Sequence, residues 1–554
     1  MKTKLQLILF LTFIGNSLKA QKFTELTSGL KAGISPKEMT CLNNKIIFSA
    51  STAADGNELW ISDGTKAGTK MLIDIYPDSI NINPNSSSPA GFTEFNNKLY
   101  FVASDAESRN SLWETDGTEA GTKKILKKNI DARNMPMTML NGKFLFKIDS
   151  AGLGTELFSF DPIANNLILL KDIYPGSSSG FNSSFLGIFT VVGNKAFFGA
   201  TSGIDGAELF VTDGTPSGTF LVKDINSGNK DAWPFPFGIL NNKLLFSAYS
   251  NNAADATLWV TDGTESGTSE ISKMKVQKSN FPTSPVNYKG KLFFQGYDTI
   301  GNWELWQTDG TTSGTVEFMN IRPDPDRQYE FLDPSHPQNL TVFNDKLYFS
   351  AYDGKNRLLW QSDGTKFGTY KVKKDYSTFK NLNSPSNFYQ YNGYLYFIAE
   401  CDSFGTALCN FNVTDSNSFK TLTPDSAKRY NPFFKFDYDL WRRFTSCNGD
   451  LYLVGNYNFN SYNLWKVSNL PTDIQIIETK NTFKIYPNPS AGNFKIKSDD
   501  ILGNILVYNS MGQVIHQTKT IDSEIEISID KAGIYFVQIN DGNKTQTMKV
   551  LVQN

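Results

Sequence analysis

The chain has almost no histidine. His336 and His516 are the only two in 554 residues, so a site built from several histidines is excluded by count. Cysteine is nearly as scarce, and Cys41, Cys401, Cys409 and Cys447 include no C-x-x-C pair for zinc or redox chemistry. An excess of one charge sign is also missing: 53 basic and 55 acidic residues leave a net charge of −2. No bulk field therefore draws nucleic acid or an anionic membrane. Past the N-terminus no run reaches about 18 consecutive apolar residues, so no spanning helix is expected. Gly-x-Ser-x-Gly, His-Glu-x-x-His and phosphate-loop motifs are lacking. No catalytic residue, cofactor or resident metal is expected on these grounds.

Aromatic residues, Gly, Asn, Ser and Thr are abundant, a mixture that suits strands joined by tight turns. One stretch recurs. Glu58-Leu59-Trp60-Ile61-Ser62-Asp63-Gly64-Thr65-Lys66-Ala67-Gly68-Thr69 returns as Ser111–Thr122, Glu208–Thr219, Thr257–Thr268, Glu304–Thr315 and Leu358–Thr369. Weaker copies lie at Glu156–Pro162, Ala407–Asn412 and Asn463–Val467. The Trp-equivalent positions are Trp60, Trp113, Phe158, Phe210, Trp259, Trp306, Trp360, Cys409 and Trp465, spaced 45 to 56 residues apart. A fixed period of this size marks a repeat architecture.

Each repeat reads as four short strands. In the fifth they are Pro236–Leu240, Lys243–Tyr249, Thr257–Asp262 and Thr268–Met274. The first two strands of every repeat are joined by two residues, from Asn43-Asn44 to Asn448-Gly449, which suit a type I′ hairpin because Asn and Gly tolerate positive φ. The last two are joined by Asp-Gly-Thr-x-x-Gly-Thr. Its six carboxylates, Asp63, Asp116, Asp213, Asp262, Asp309 and Asp363, are read as turn caps. Calcium is the weaker reading, because no turn has the ligand density a hard cation needs. The fold class expected is all-β: a β-propeller of eight or nine four-stranded blades over 22–477, then a linker at 478–482 and a small Ig-like β-sandwich over 483–554. Phe23–Gly29 is expected to supply a strand to the last blade and so close the ring.

The repeats resemble the ELWxxDGT repeat family of exported bacterial proteins, whose motif six copies carry in full. That resemblance implies an architecture and names no reaction. The turns are also similar to the Asp boxes of sialidase propellers, which are structural. The C-terminal segment resembles the type A sorting domain of the type IX secretion system. The matching residues are Tyr486-Pro487-Asn488-Pro489 with Gly492, Val507-Tyr508-Asn509 with Met511-Gly512, Gly533-Ile534-Tyr535 and the final Lys549-Val550-Leu551-Val552. This implies passage across the outer membrane of a Bacteroidota-type bacterium with the type IX machinery as partner. Residues 1–20 fit the first half of that route, with Lys2 and Lys4, an apolar run over Leu5–Ile14 and Ala20 before the cut. An oxidising destination permits disulfides; Cys401 and Cys409 flank one loop and could pair, or remain two buried thiols.

Strand order places the uniform hairpins and Asp-Gly-Thr turns on one side of each blade. The divergent loops fall on the other, where binding residues usually sit. The expected ligand contacts there are Trp233, Trp303, Arg327, Tyr329 and His336, suited to stacking and hydrogen bonding with a protein or polysaccharide. The expected function is an exported, non-catalytic binder. A glycan hydrolase or lyase with carboxylates in the propeller mouth is the alternative.

Overall fold

The computed structural model describes residues 22–27, 36–77, 79–80, 83–130, 137–181, 188–250, 256–276, 285–297, 303–321, 335–372, 383–401, 405–411, 420–422, 444–455, 463–468, 483–498, 503–509, 514–520, 522–540 and 545–553. The proposed leader, the linker, Arg327 and Tyr329 lie outside them. The described residues contain strands and turns, and none of them forms a helix long and apolar enough to cross a membrane. The chain divides into two compact units, Met1–Pro471 and Thr472–Asn554.

The first unit is a β-propeller. Its first sheet runs Met39–Leu42, Lys45–Thr52, Gly56–Ser62 and Lys70–Ile73, antiparallel and in chain order. The same pattern repeats. Among the described residues, seven four-strand sets are separate sheets, and two more meet in one sheet of eight strands through a single bridge, Lys275 against Tyr297. All nine motif copies lie on the third strand of a set. The hairpins take the expected geometry, with Asn43 and Asn44 at φ 49° and 62°. In Gly193-Asn194 only Gly193 has positive φ, at 59°, so that turn departs from type I′.

The reason for the Leu-Trp pair lies in what the two residues touch. Successive strand residues face opposite sides of a sheet. Leu59 packs toward the second blade, with Phe92, Leu99 and Phe101. Trp60 packs toward the last blade, with Tyr452 and Val454. Leu112 and Trp113 divide the same way, and so do Leu305 and Trp306 and the other copies. Each motif therefore serves two cores. A register shift separates the two residues in several copies, as between Leu59 and Trp60 or Leu258 and Trp259. Where Cys409 replaces Trp, Tyr348 and Phe411 share its cluster, their rings 5.2 Å apart.

The ring closes at the seam between the last and first blades. Lys22–Glu25 pairs with Asn463–Ser468 as the outer strand of the last sheet, with Glu25 opposite Trp465. Leu26 N–H then donates to the Leu464 carbonyl at 2.8 Å, and the Thr27 hydroxyl to Asn463 Oδ1 at 2.9 Å. The expected strand is thus in place over Lys22–Glu25, while residues 28–29 of the expected Phe23–Gly29 lie outside the described residues. A disulfide joins Cys41 on the innermost strand of the first blade to Cys447 on that of the last, with Cα atoms 5.4 Å apart. Of the two readings left open for Cys401 and Cys409, the pairing is corrected here. The register sets Cys401 opposite Gly405 and Cys409 opposite Phe397. Four strand positions separate Phe397 from Cys401, about 13 Å, beyond the reach of a bridge.

The second unit holds two sheets. One is Phe483–Tyr486, Asn493–Ser498 and Glu524–Ser528; the other is Val514–Thr520, Gly503–Asn509, Gly533–Asn540 and Thr545–Val552. Alternate residues such as Phe494, Ile496, Ile505, Val507 and Val537 point into the core between them. This is the expected small sandwich.

Cys41→Ser with Cys447→Ser should lower stability by about 2–4 kcal/mol, because the bridge restrains an unfolded chain across the whole ring. The measurement is thermal melting of the variant against wild type, each with and without reductant. Equal melting of all four samples would mean that the seam holds without the bridge.

Candidate functional site

On the turn side every full motif copy makes the same network. Thr65 donates its N–H and its hydroxyl to Asp63 Oδ1 at 2.8 and 2.7 Å. The same hydroxyl accepts the Gly68 N–H at 2.9 Å, while the Ser62 and Thr69 hydroxyls meet at 2.7 Å. Asp213 and Asp309 repeat these bonds with Thr215 and Thr311, and Asp116, Asp262 and Asp363 with Thr118, Thr264 and Thr365. Donation from the Thr side chain holds each carboxyl below its ordinary range. Gly64 has φ 84°, a conformation an L side chain strains. The hairpins touch these turns in the next blade: Asn43 Nδ2 donates to the Asp116 carbonyl at 3.3 Å, and Lys289 Nζ to that of Asp363 at 2.9 Å. Both turn types therefore share one face. A cavity between the first two turns, lined by Lys45, Asp63, Lys70 and Glu119, mixes both charge signs on this scaffold side.

The opposite side is organised by a residue that the sequence reading passed over, the Glu that opens four motif copies. Glu58, Glu156 and Glu208 are 0% exposed and Glu304 is 2% exposed. Each accepts hydrogen bonds from the connection leaving its own blade. Ile75 N–H and Ser87 N–H reach Glu58 at 2.9 and 2.7 Å. Ile173 and Gly180 reach Glu156, both at 2.7 Å, and Ile225 and Asn226 reach Glu208 at 3.1 and 2.9 Å. Ile321 N–H and the Ser335 hydroxyl reach Glu304 at 2.8 and 2.7 Å. The connection is also stitched forward, as Ser104 N–H donates to the Ser87 carbonyl and Tyr352 N–H to that of Ser335, each at 2.8 Å. Burial pushes the Glu58 carboxyl up, and it pushes Glu156 up to about 6, Glu304 to about 7 and Glu208 to about 8. The clue was the repeated Glu ahead of Leu in the motif.

The same clasp positions two of the expected ligand residues. Trp233 and His336 each precede a proline and take left-handed φ, 47° and 42°. Each donates its N–H to the carbonyl just before the motif Glu position, Trp233 to Ala207 and His336 to Trp303, both at 3.1 Å. Ser88, at φ 51°, does the same to Asn57 at 3.0 Å. Trp303 and His336 come together, their rings 6.0 Å apart and 20° from parallel. Tyr297, which the sequence reading missed, lies 4.8 Å from Trp303. Gln295 Nε2 meets His336 Nδ1 at 2.8 Å, and Arg357 donates to the His336 carbonyl at 2.7 Å. Trp233 is elsewhere, packed on the core of the third and fourth blades beside Phe198 and Phe210.

In the C-terminal unit the motif residues tie the chain to its last strand. The Asn488 side chain donates to the Lys549 carbonyl at 2.8 Å and accepts the Leu551 N–H at 3.0 Å. Ser490 continues the pairing with Leu551 and Gln553, each bond 2.8 Å. Tyr486 is exposed, while Pro487 and Pro489 frame Asn488. Gly492, at φ 107°, accepts the Ile529 N–H at 2.8 Å. Gly533 begins the strand on which Tyr535 is buried, and the Tyr535 hydroxyl donates to the Lys531 carbonyl at 2.8 Å.

A pH dependence follows from the clasp. The Glu208 carboxyl rises from 4.5 to about 8 because burial outweighs two backbone bonds, with Asp224 and Asp205 adding repulsion. The folded protein thus holds a proton that the unfolded chain releases. That contribution to stability is complete below about pH 4.5 and is lost as pH rises toward 8. Glu208→Gln should melt lower throughout, since its amide turns a donor toward a backbone N–H, yet show a flatter dependence on pH. Melting temperatures of both proteins from pH 5 to about 9 test this. Parallel curves would place the proton elsewhere.

Residues 484–553 match the family model of the secretion system C-terminal sorting domain. No curated protein matches the chain. Among solved structures it is similar to a puromycin hydrolase, at 13% identity over 66% of this chain and 58% of that one, with a TM-score of 0.34. The chain therefore spans little more than half the length of that enzyme. It is similar to the β-propeller domain of the Trilobed protease from Pyrococcus furiosus, at 12% identity over 71% and 98% of the two chains, with a TM-score of 0.33. It is also similar to PorZ, a surface component of the type-IX secretion system of Porphyromonas gingivalis, at 10% identity over 94% and 87%, with a TM-score of 0.19. The C-terminal unit is a type IX sorting domain, and the protein that carries it is exported, to the surface or the surroundings of a Bacteroidota-type cell.

Proposed function

We propose that this is a non-catalytic binding protein: a nine-bladed ELWxxDGT propeller over 22–477, exported behind a signal peptide over 1–20 and addressed by residues 483–554, that holds a macromolecule on its loop face. One observation carries the reading. The turn face is the same in each full copy, bond for bond, whereas the opposite face displays different loops from a frame clamped by buried glutamates. Divergent loops on a rigid frame are where recognition usually sits. The alternative, glycan hydrolysis, needs two carboxyls about 5–9.5 Å apart and free to react. The carboxyls raised toward neutrality on this side are engaged by backbone N–H groups, which speaks for scaffold over catalysis.

Binding of the full chain to immobilised polysaccharides and to immobilised denatured protein, with reducing ends and free amines measured in the supernatant, tests the reading. Saturable binding without release is expected. Trp303→Ala should weaken it with little change in melting. Gly263→Ala, at φ 89°, should cost about 1 kcal/mol or more and leave affinity intact. Release of product, or loss of binding in a folded turn-face variant, would overturn it.

Removal of 483–554 should leave a folded propeller in the periplasm. Fractionation with antibody against the propeller gives the answer, and a truncated chain in normal amount at the surface would contradict the role assigned to the tail.

A further inference from the structure

We infer that the outer face of the four-stranded sheet in the C-terminal unit is the surface by which the type IX machinery recognises this chain, and that the machinery meets it with an apolar surface bordered by carboxylates. The surface lies within the sorting domain and owes nothing to the choice of binding face on the propeller.

The two sheets of the sandwich treat water differently. An antiparallel sheet packed on one side is normally apolar inward and polar outward. The three-stranded sheet obeys. Lys484, Lys495, Lys497, Glu524 and Glu526 face outward, and Lys495 and Lys497 pair with Glu524 at 3.3 and 3.4 Å. The four-stranded sheet does not. Val507, Val537 and Val550 fill the core, yet the residues that alternate with them are also apolar. Val514 stands opposite Tyr508, and Tyr508 opposite Phe536. Ile534 stands opposite Leu551 on the same face. Val514, Ile534 and Phe536 are 50%, 40% and 38% exposed. Opposed side chains lie about 5 Å apart, so these five residues form one band across all four strands.

The Tyr-Pro-Asn-Pro segment has a different task. Asn488 and Ser490 bond Lys549, Leu551 and Gln553, which covers the free edge of strand Thr545–Val552. The edge is closed while the face beside it stays exposed.

Size and charge select the occupant. Four strands at about 4.8 Å and two outward rows about 7 Å apart give an area on the order of 300 Å². A standard stable interface covers about 800 Å² on each partner, so a second copy of this chain would find too little surface. A small apolar patch suits a contact that is made and then released. A sorting domain needs such a contact, since its cargo must be read and let go. Lys549 stands opposite Phe536, and Lys519 opposite Asn504 farther along. Among the described outward residues of this sheet none is acidic. The complementary surface is therefore apolar with carboxylates at its rim.

The test expresses the full chain in a Bacteroidota cell with type IX export and follows it with antibody against the propeller. Ile534→Ser with Phe536→Ser should cut the surface and medium fractions about tenfold or more and hold the chain in the periplasm. Lys519→Glu with Lys549→Glu should act in the same direction. Ile534→Val with Phe536→Leu keeps the face apolar and should export normally, as should Lys495→Ser with Lys497→Ser on the polar face. Melting of each purified variant separates loss of recognition from loss of folding. Independently of folding in the serine variant, Phe536→p-benzoylphenylalanine should cross-link to an identified outer-membrane protein of the machinery, and Lys495→p-benzoylphenylalanine should not. Cross-links from position 536 to the chain's own propeller or to a second copy would overturn the assignment, and so would normal export of the folded serine variant. Should that variant be exported while removal of 483–554 traps the propeller, the address would stand and this face would be rejected.

Discussion

The whole ring depends on burying both faces of one strand at once. A sheet with one apolar face can rest on a partner and stop; a sheet with two must have a neighbour on each side. Adjacent residues of the motif enforce this, as Leu59 faces the next blade and Trp60 the one before. Leu464 and Trp465 obey the same rule in the last blade, and Leu464 reaches the core of the first. A linear stack would leave one such face wet at each end. Closure removes both, and the N-terminal strand and the disulfide secure the place where the chain must meet itself.

Much of this was legible in sequence because it is local or periodic. The Asn-Gly hairpins, the Asp-Gly-Thr turns and the alternating third strand each carry their cause within a few residues. The N-terminal strand was legible too, since Phe23–Gly29 reads as a fourth strand without a blade of its own, and Lys22–Glu25 forms one. The Cys41–Cys447 bridge was not. Its partners are separated by 406 residues, and only the closed ring makes them neighbours, whereas Cys401 and Cys409 invite pairing by their nearness in the chain.

The loop side was legible in outline and opaque in detail. Strand order alone sorted the hairpins and turns from the longer loops, and Trp303 and His336 come together among the latter. Their contact was hidden, because it depends on a clasp in which Glu304 holds the connection that brings Ser335 and His336 back over the blade. A Glu at the start of an apolar strand looks like a surface residue in a linear reading. Its burial is visible only when the returning loop is seen to supply the hydrogen bonds. Trp233 shows the opposite error: the backbone position is equivalent to that of His336, but the ring turns into a neighbouring core.

The disulfide has a consequence of a different kind. With Cys41 and Cys447 joined, everything between them forms a covalent circle from which the chain ends emerge as two tails. A protein outside its cell meets peptidases, and the divergent loops are where they would cut. A single cut anywhere in that circle opens it without detaching any piece, so the blades on either side of the nick stay tethered and their packing can survive it. Two cuts, or one cut and a reductant, are needed before a fragment can leave.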